Sequence, residues 1–241
     1  AHIDTAIWAY VAPKNRDAVR LAVANTAQEL LDGAKPGSDA QLQYARAFTT
    51  NAFTPEHFAT IKEILGGSVD GLVMDTDLRW YLFLCGVKRG VFSEADIQAE
   101  ADRDKTAHGK QYVAYAHAAL PTREAKVAAF KSITTDDLSN TTHSYKCRGF
   151  NENIHWELLE PFVDEYFDAI LKVWATKGFE IAETTATLTF PTWAISEETV
   201  KKSQHWLDVT GKDASHALRR TVAEGRDAMT RALKARAVDA R

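Results

Sequence analysis

The feature that most constrains this chain is the spacing of its apolar residues, which recur at intervals of three and four along most of its length. This spacing places them on one face of an α-helix, whereas a half-buried strand shows strict alternation. Alanine is abundant, and glycine and proline fall mostly between the periodic segments. The sequence therefore predicts an all-α protein of about ten helices.

Short polar residues mark where these helices begin. Such a residue accepts a free N–H group of the first helical turn, and acidic residues just after it favour the positive end of the helix dipole. Glycine or proline marks where a helix ends. The predicted N-caps are Asn15, Ser38, Thr54, Ser93, Thr106, Thr122, Ser196 and Asp213, and the predicted ends are Gly33, Gly66, Gly90, Pro121, Gly178 and Gly211.

The predicted helices are joined by tight turns, so consecutive helices should pack as antiparallel neighbours. Such hairpins either stack into an α-solenoid or fold as a bundle, and no repeat of fixed period distinguishes the two. Residues 185–190 alternate like a strand, but no partner strand is predicted, and we interpret them as a helix end or loop. No Pro/Gly/Ser-rich linker divides the chain, so residues 1–241 are predicted to form a single helical domain.

Three segments indicate where the core lies. Residues 76–89 carry apolar side chains on most sides, Trp80 among them, which predicts a central buried helix. Residues 154–176 carry an apolar stripe that ends at Trp174, although Pro161 either bends this helix or starts a new one. Residues 214–236 form the last amphipathic helix. Trp80 and Trp174 are therefore predicted to be structural residues.

Asp75 and Arg79 are four residues apart, in the order that favours an ion pair on one helix. Burial beside Trp80 would make this pair structural. We therefore interpret both residues as part of the scaffold.

Composition excludes several classes of function. The net charge of −4 gives no general attraction to nucleic acid or to anionic lipid, so we expect neither as a partner. The uncharged stretches are shorter than the about 18 residues that a membrane span needs. Two cysteines are too few for a disulfide framework, which favours a reducing compartment and a cytoplasmic location. The start at Ala1 shows neither an initiator Met nor a signal peptide, as expected of a processed chain or a fragment.

The sequence carries no HExxH zinc motif, no GxSxG nucleophile elbow and no glycine-rich phosphate loop. His143 and Cys147 would share a helical face, with His155 nearby in sequence. A zinc site needs four suitable donors, and we interpret these three as ordinary side chains. Cys147 lies between two basic residues that would lower its thiol pKa, but an inert cysteine is the favoured interpretation. No catalytic residue, metal ligand or cofactor site is predicted within this chain.

Two charged faces are candidate binding surfaces. An acidic face would receive a cationic partner or a peptide amino terminus. A basic face on the last helix would bind carboxylates through bidentate pairing. Solvated helix faces and dipole complementation are the alternative interpretations. The acidic candidates are Glu157, Glu160 and Asp164, and the basic candidates are Arg219, Arg220 and Arg226.

Several short stretches between about residues 10 and 238 occur in a characteristic order and spacing. They include Asp77-Leu78-Arg79-Trp80, Asp102-Arg103-Asp104-Lys105, Ala118-Ala119-Leu120-Pro121-Thr122, Leu158-Leu159-Glu160-Pro161-Phe162, Phe190-Pro191 and Leu218-Arg219-Arg220 with Glu224-Gly225-Arg226-Asp227. Together they resemble the C-terminal helical domain of the aminopeptidase N family of zinc peptidases, the M1 metallopeptidases, and in particular its actinobacterial type.

The resemblance implies a HEAT-like superhelix of stacked antiparallel helix pairs. In that family an upstream domain holds zinc through HExxH, and the helical domain covers the catalytic cleft and restricts which peptides enter. The resemblance also implies that further helices precede residue 1 and that the isolated chain is inactive. Its implied partners are the upstream catalytic domain and the peptide substrates of the parent enzyme. A free-standing α-solenoid that binds other proteins is the alternative.

Overall fold

The structure, a computed structural model, describes residues 2–241 except for the side chain of His2, so only Ala1 of the predicted domain lies outside it. Every regular element in this range is helical, which confirms the all-α prediction. Residues 185–190, which alternate like a strand, lie mostly in a helix. There are thirteen α-helices rather than about ten: α1 His2–Thr5, α2 Pro13–Asp32, α3 Asp39–Asn51, α4 Pro55–Leu65, α5 Thr76–Val87, α6 Glu94–Arg103, α7 Ala107–Ala119, α8 Arg123–Thr135, α9 Asn140–Phe150, α10 Phe162–Thr176, α11 Phe179–Leu188, α12 Glu197–His205 and α13 His216–Asp239.

The helices contact one another in a regular order. From α3 to α13, each odd-numbered helix packs against the next odd-numbered helix. Each even-numbered helix packs against the odd-numbered helix that follows it, beginning with α2 on α3. Two layers of helices stacked pair by pair are typical of an α-solenoid, so the structure is consistent with the predicted superhelix.

Helix α5 lies at the centre of the packing, as predicted. Leu78 and Leu82 point into the apolar cluster formed by α2, α3 and α4. Trp80 and Phe83 point into a second cluster with α6 and α7. Because both faces of α5 are buried, this helix needs apolar side chains on nearly every side.

The predicted helix over residues 154–176 is in fact two elements. A 3-10 turn spans Asn153–Leu158, with His155 in a non-helical conformation, and α10 begins at Phe162 directly after Pro161. Proline has no N–H to donate and clashes with the preceding turn, so it is accepted at a helix start but not in a helix interior. Glu157 and Asp164 therefore do not share one helical face.

Most of the predicted N-caps are occupied as expected. Asn15 lies inside α2 instead, because Pro13 starts this helix earlier, and Ser215 rather than Asp213 caps α13. At each confirmed position the side-chain oxygen accepts the N–H three residues ahead. The confirmed caps are Ser38, Thr54, Ser93, Thr106, Thr122 and Ser196.

Arg79 and Asp75 do not pair with each other. Asp75 caps α5 by accepting the N–H of Leu78 at 2.7 Å. Arg79 donates instead to both carboxylate oxygens of Glu100 on α6, with 2.8 Å between Nε and Oε2. Both residues hold α5 in place, one at its start and the other against its neighbour. Trp174 is partly buried against the C-terminal cluster.

The first and last segments of the described chain are joined by hydrogen bonds. The carboxylate of Asp239 accepts the backbone N–H of Ala12 at 2.7 Å and the side-chain amide of Asn15 at 3.1 Å. Arg236 donates to the carbonyl oxygens of Trp8 and Ala9 at 2.7 and 2.9 Å. The stack of helices is therefore closed by contact between its first turn and its last helix.

Asp239→Ala is expected to weaken this closure in a pH-dependent way. The hydrogen bonds from Ala12 and Asn15 lower the pKa of Asp239 below its usual 3.8 in the folded chain. Stabilisation from a lowered carboxylate pKa is complete above the unfolded value and is lost as pH falls through the folded value. Thermal melts should show a lower Tm for the variant at pH 7, with the difference shrinking below pH 3.8. A difference that stays constant down to the lowest pH would contradict this.

Candidate functional site

A cavity of about 510 Å³ lies where the two ends of the chain meet. Its walls come from the start of α2, the 3-10 turn, the start of α10, the turn before α12, α12 itself and the end of α13. We call it the junction cavity. The residues that line it include Arg16, Trp156, Asp164, Trp193, Lys202 and Arg236.

Two indole rings give the junction cavity its apolar surface. Trp193 is 8% exposed, and its ring N–H donates to Oδ1 of Asn151 at 2.6 Å, which fixes the ring. Trp156 is 39% exposed and belongs to the 3-10 turn. One fixed and one exposed indole provide flat surfaces on which a ligand can stack.

The acidic side of the junction cavity is formed by Glu160, Asp164 and Glu198. Lys202 lies between the last two, 2.7 Å from Asp164 and 3.2 Å from Glu198. The hydrogen bond with Asp164 is the main cause of the raised pKa of Lys202. Glu160 and Asp164 are both exposed, so these charges set the local potential more than they stabilise the fold.

The basic side is formed by Arg16 and Arg236, both partly buried. They donate to the same acceptor, the carbonyl oxygen of Trp8, from 3.5 and 2.7 Å respectively. Burial, and then repulsion from Arg16, lowers the pKa of Arg236 to about 10. Both guanidinium groups therefore remain charged at neutral pH, opposite the carboxylates.

Only some of the predicted binding residues line the junction cavity. Glu160 and Asp164 line the junction cavity, whereas Glu157 is exposed on the 3-10 turn outside the lining. Arg219 donates to the carbonyl oxygens of Leu207 and Gly211 at 2.6 and 2.8 Å, which holds the turn before α13.

The other two basic candidates lie on α13, Arg220 on its exposed face and Arg226 partly buried toward α12. Arg220 is exposed and 3.6 Å from Glu224. Arg226 pairs with Asp227 at 2.8 Å and also contacts Gln204. The roles proposed for all six charged residues stay predictions.

His143, Cys147 and His155 do not form a metal site. Nε2 of His143 is hydrogen-bonded to Oγ1 of Thr185 at 2.8 Å, and burial lowers the pKa of this histidine to about 4. Burial raises the pKa of the Cys147 thiol to about 12, which agrees with an inert cysteine. No group of three His, Cys, Asp or Glu residues in the described part of the chain is arranged to hold a metal ion. The residues present therefore do not fit the zinc that the resemblance implies for the parent enzyme.

The sequence analysis missed Arg16 and Trp193, and it did not place Arg236 of the basic last helix beside them. These residues approach one another from distant parts of the chain, and nothing in their local sequence indicates this. The junction cavity offers stacking surfaces and charges of both signs, which suit the binding and positioning of a ligand.

No helix within residues 2–241 is both long enough and apolar enough to cross a membrane. The sequence profile of the ERAP1-like C-terminal domain matches residues 1–231. The chain is also 36% identical over 241 residues to aminopeptidase N of Streptomyces lividans, covering 99% of this chain and 28% of that protein. The chain thus spans a little over a quarter of the length of this relative. The match over nearly its whole length shows that the chain belongs to the ERAP1-like C-terminal domain family.

Proposed function

We propose that this chain serves as the C-terminal domain of a zinc-dependent M1 aminopeptidase, where it covers the catalytic cleft and restricts which peptides enter. The observation that carries the proposal is the family match combined with the junction cavity, which has binding surfaces but no reacting groups. The Streptomyces relative is an aminopeptidase N, which supports this parent activity.

In this proposal the zinc and the reacting groups belong to an upstream catalytic domain of the same polypeptide. The helical stack contributes by excluding water and unsuitable peptides and by positioning the remainder. The peptide substrates of the parent enzyme would pass the junction cavity. The two free, buried cysteines support a cytoplasmic location for the parent.

The test is a comparison of the isolated chain with the polypeptide read from the same frame upstream. With added zinc, the isolated chain is expected to release no product from an aminoacyl arylamide, and the longer polypeptide is expected to do so. Turnover by the isolated chain near that of the longer polypeptide would overturn the proposal.

The same longer polypeptide tests the role of the junction cavity. Glu160→Lys reverses one exposed charge in its wall and should raise KM for an octapeptide with central lysines roughly threefold to tenfold, the effect of about 1 kcal/mol of lost attraction. The arylamide lacks the central lysines of the octapeptide, so its KM should not change. Glu224→Lys, on the exposed face of α13, is the matched control. Equal effects on both substrates, or no effect on the octapeptide, would contradict a gating role.

A further inference from the structure

Three arginines of this chain lie close together around two aromatic rings. The guanidinium carbons of Arg16 and Arg20 each lie 5.1 Å from the centroid of the Trp8 ring. Arg20 also lies over Phe53, 4.2 Å from its ring centroid. Arg89 donates to the carbonyl oxygens of Thr50 and Ala52, beside Phe53. The three positive charges therefore share one region inside the fold.

Few negative charges compensate these arginines. Among the side chains that the structure describes, Asp17 is the one carboxylate within 4.0 Å of any of the three, 3.5 Å from Arg20. Asp17 is 82% exposed, whereas the side chain of Arg20 is 12% exposed. Arginine does not lose its charge at neutral pH, so the cluster stays cationic. Burial raises the pKa of Asp4, and Lys88 and Arg89 lower it, so this carboxylate compensates part of the charge of Arg89. Burying the charges of Arg16 and Arg20 without a close buried partner is unfavourable, and a bound anion would balance them.

The electrostatics of neighbouring groups agree with this geometry. Burial, and then repulsion by Arg89, lowers the pKa of Arg20. Burial also lowers the pKa of His155, Glu157 raises it, and Lys126, Arg89 and Arg20 lower it further, so the imidazole lies near the same cationic region. Nε2 of His155 is buried and has no hydrogen-bond partner among the described residues. This imidazole is therefore a polar group without a protein partner next to an excess of positive charge.

The remaining donors suit an oxyanion. Arg16 uses Nε and Nη2 for the carbonyl oxygens of Ile7 and Trp8, and Arg20 uses Nη1 for Asp17. Their other N–H groups have no acceptor in residues 2–241, so they remain available to a ligand. Arg16 also lines the junction cavity, which gives an anion a route from solvent. Planar guanidinium groups match the oxygen spacing of carboxylates and phosphates.

We propose that Arg16, Arg20, Arg89 and His155 form a binding site for a small oxyanion, a phosphate or a carboxylate, beside the junction cavity. Arg16 and Arg20, which both pack on the Trp8 ring, donate through their remaining N–H groups, and Arg89 supplies further positive charge. His155 donates from Nε2 in the tautomer that carries hydrogen there. The site does not depend on the gating role proposed above.

Isothermal titration of the 241-residue chain tests the site with two probes, inorganic phosphate and glutamate blocked as N-acetyl amide. Sodium chloride at matched ionic strength accounts for general screening. We expect saturable binding of at least one probe that chloride does not reproduce, together with a raised Tm. Binding of phosphate alone would identify a free anion as the ligand, and binding of the blocked glutamate alone an acidic peptide side chain. No saturable binding of either probe would overturn the proposal.

Variants locate the site. Arg16→Gln and Arg20→Gln are each expected to weaken binding at least tenfold, and His155→Phe several-fold. Arg123→Gln removes an exposed arginine at the start of α8 and should leave binding unchanged. Circular dichroism checks that each variant folds. If Arg20→Gln does not fold, the affinity of Arg16→Gln decides whether the site exists. Wild-type affinity in folded Arg16→Gln and His155→Phe would overturn the proposal.

Discussion

Replacing Trp80 with alanine should lower the free energy of unfolding by about 3–5 kcal/mol, the usual cost of truncating a large buried aromatic side chain. Trp80 is 1% exposed. Its ring stacks on Tyr112 with 5.3 Å between centroids and meets the edge of Phe83 at 5.8 Å. The variant leaves a cavity between α5 and α7, and helices fixed by several neighbours cannot close it.

A second substitution separates packing from hydrogen bonding at the same position. Nε1 of Trp80 donates to Oδ2 of Asp104 at 2.8 Å. Trp80→Phe keeps most of the apolar surface and loses this bond, so we expect a smaller loss, about 1–2 kcal/mol. Its effect should be pH-dependent at low pH, because hydrogen bonds from Thr106 and then Trp80 lower the pKa of Asp104.

Urea unfolding followed by circular dichroism at 222 nm measures these losses without relying on tryptophan fluorescence. Trp156→Ala is the matched control, because this indole is 39% exposed and its removal should change stability by no more than about 1 kcal/mol. A loss below about 1 kcal/mol in Trp80→Ala would show that α5 is not a central packing element.

The position of α5 illustrates what local sequence can predict. A helix with apolar residues on nearly all sides has no face suited to solvent, so its burial follows from composition alone. Helix starts are nearly as well determined, because the capping interaction is local. The two misplaced caps have a common reason. Asn15 and Asp213 each lie within three residues of another acceptable start, and tertiary contacts decide between such alternatives.

Local sequence does not predict which side chains on different helices contact each other. Arg79 has an acidic neighbour one turn earlier, Asp75, but pairs with Glu100 from another helix. Asp75 is already used as a cap, and only the packing of α6 on the rest of the stack brings Glu100 into reach. The junction cavity has the same origin, since Arg16 and Arg236 meet only when the stack of helices closes.

One missed residue did carry a signal in the sequence. Lys126 lies on the same face of α8 as Ala129, Phe130 and Ile133, at offsets of three, four and seven residues. A lysine in the middle of a buried apolar stripe must either extend its amine to solvent or find acceptors inside. The structure shows the second arrangement, because Lys126 is 2% exposed.

The buried amine of Lys126 joins the ends of two helices. Nζ donates to the carbonyl oxygen of Ala118 at 2.7 Å, and to those of Gly149 and Phe150 at 3.1 and 3.2 Å. These carbonyls belong to the last turns of α7 and α9, where backbone acceptors lack helical partners and the dipole is negative. One side chain therefore caps two C-termini at once.

Two opposing effects decide what Lys126→Met would do. Burial lowers the pKa of Lys126 to about 8, against the ordinary 10.5, so the folded chain holds the charged amine at a cost even with its hydrogen bonds in place. Replacement by methionine removes this cost but leaves three buried carbonyl oxygens without their donor, at about 1–3 kcal/mol each. The unpaired carbonyls outweigh the cost of the charge, so we expect Lys126→Met to lose about 2–5 kcal/mol of stability.

The pH dependence distinguishes this account from simple loss of packing. Between pH 8 and 10.5 the unfolded chain holds a proton on Lys126 that the folded chain has released. The unfolding free energy of the wild type therefore gains a contribution that rises with pH across this window, and Lys126→Met lacks it. The gap between the two proteins should widen from pH 8 to 10.5 in urea unfolding experiments. Lys131→Met, an exposed lysine on the same helix, should track the wild type at every pH. A difference in stability that does not change with pH would mean that the packing of the Lys126 side chain, and not its charge, stabilises the contact of α8 with α7 and α9.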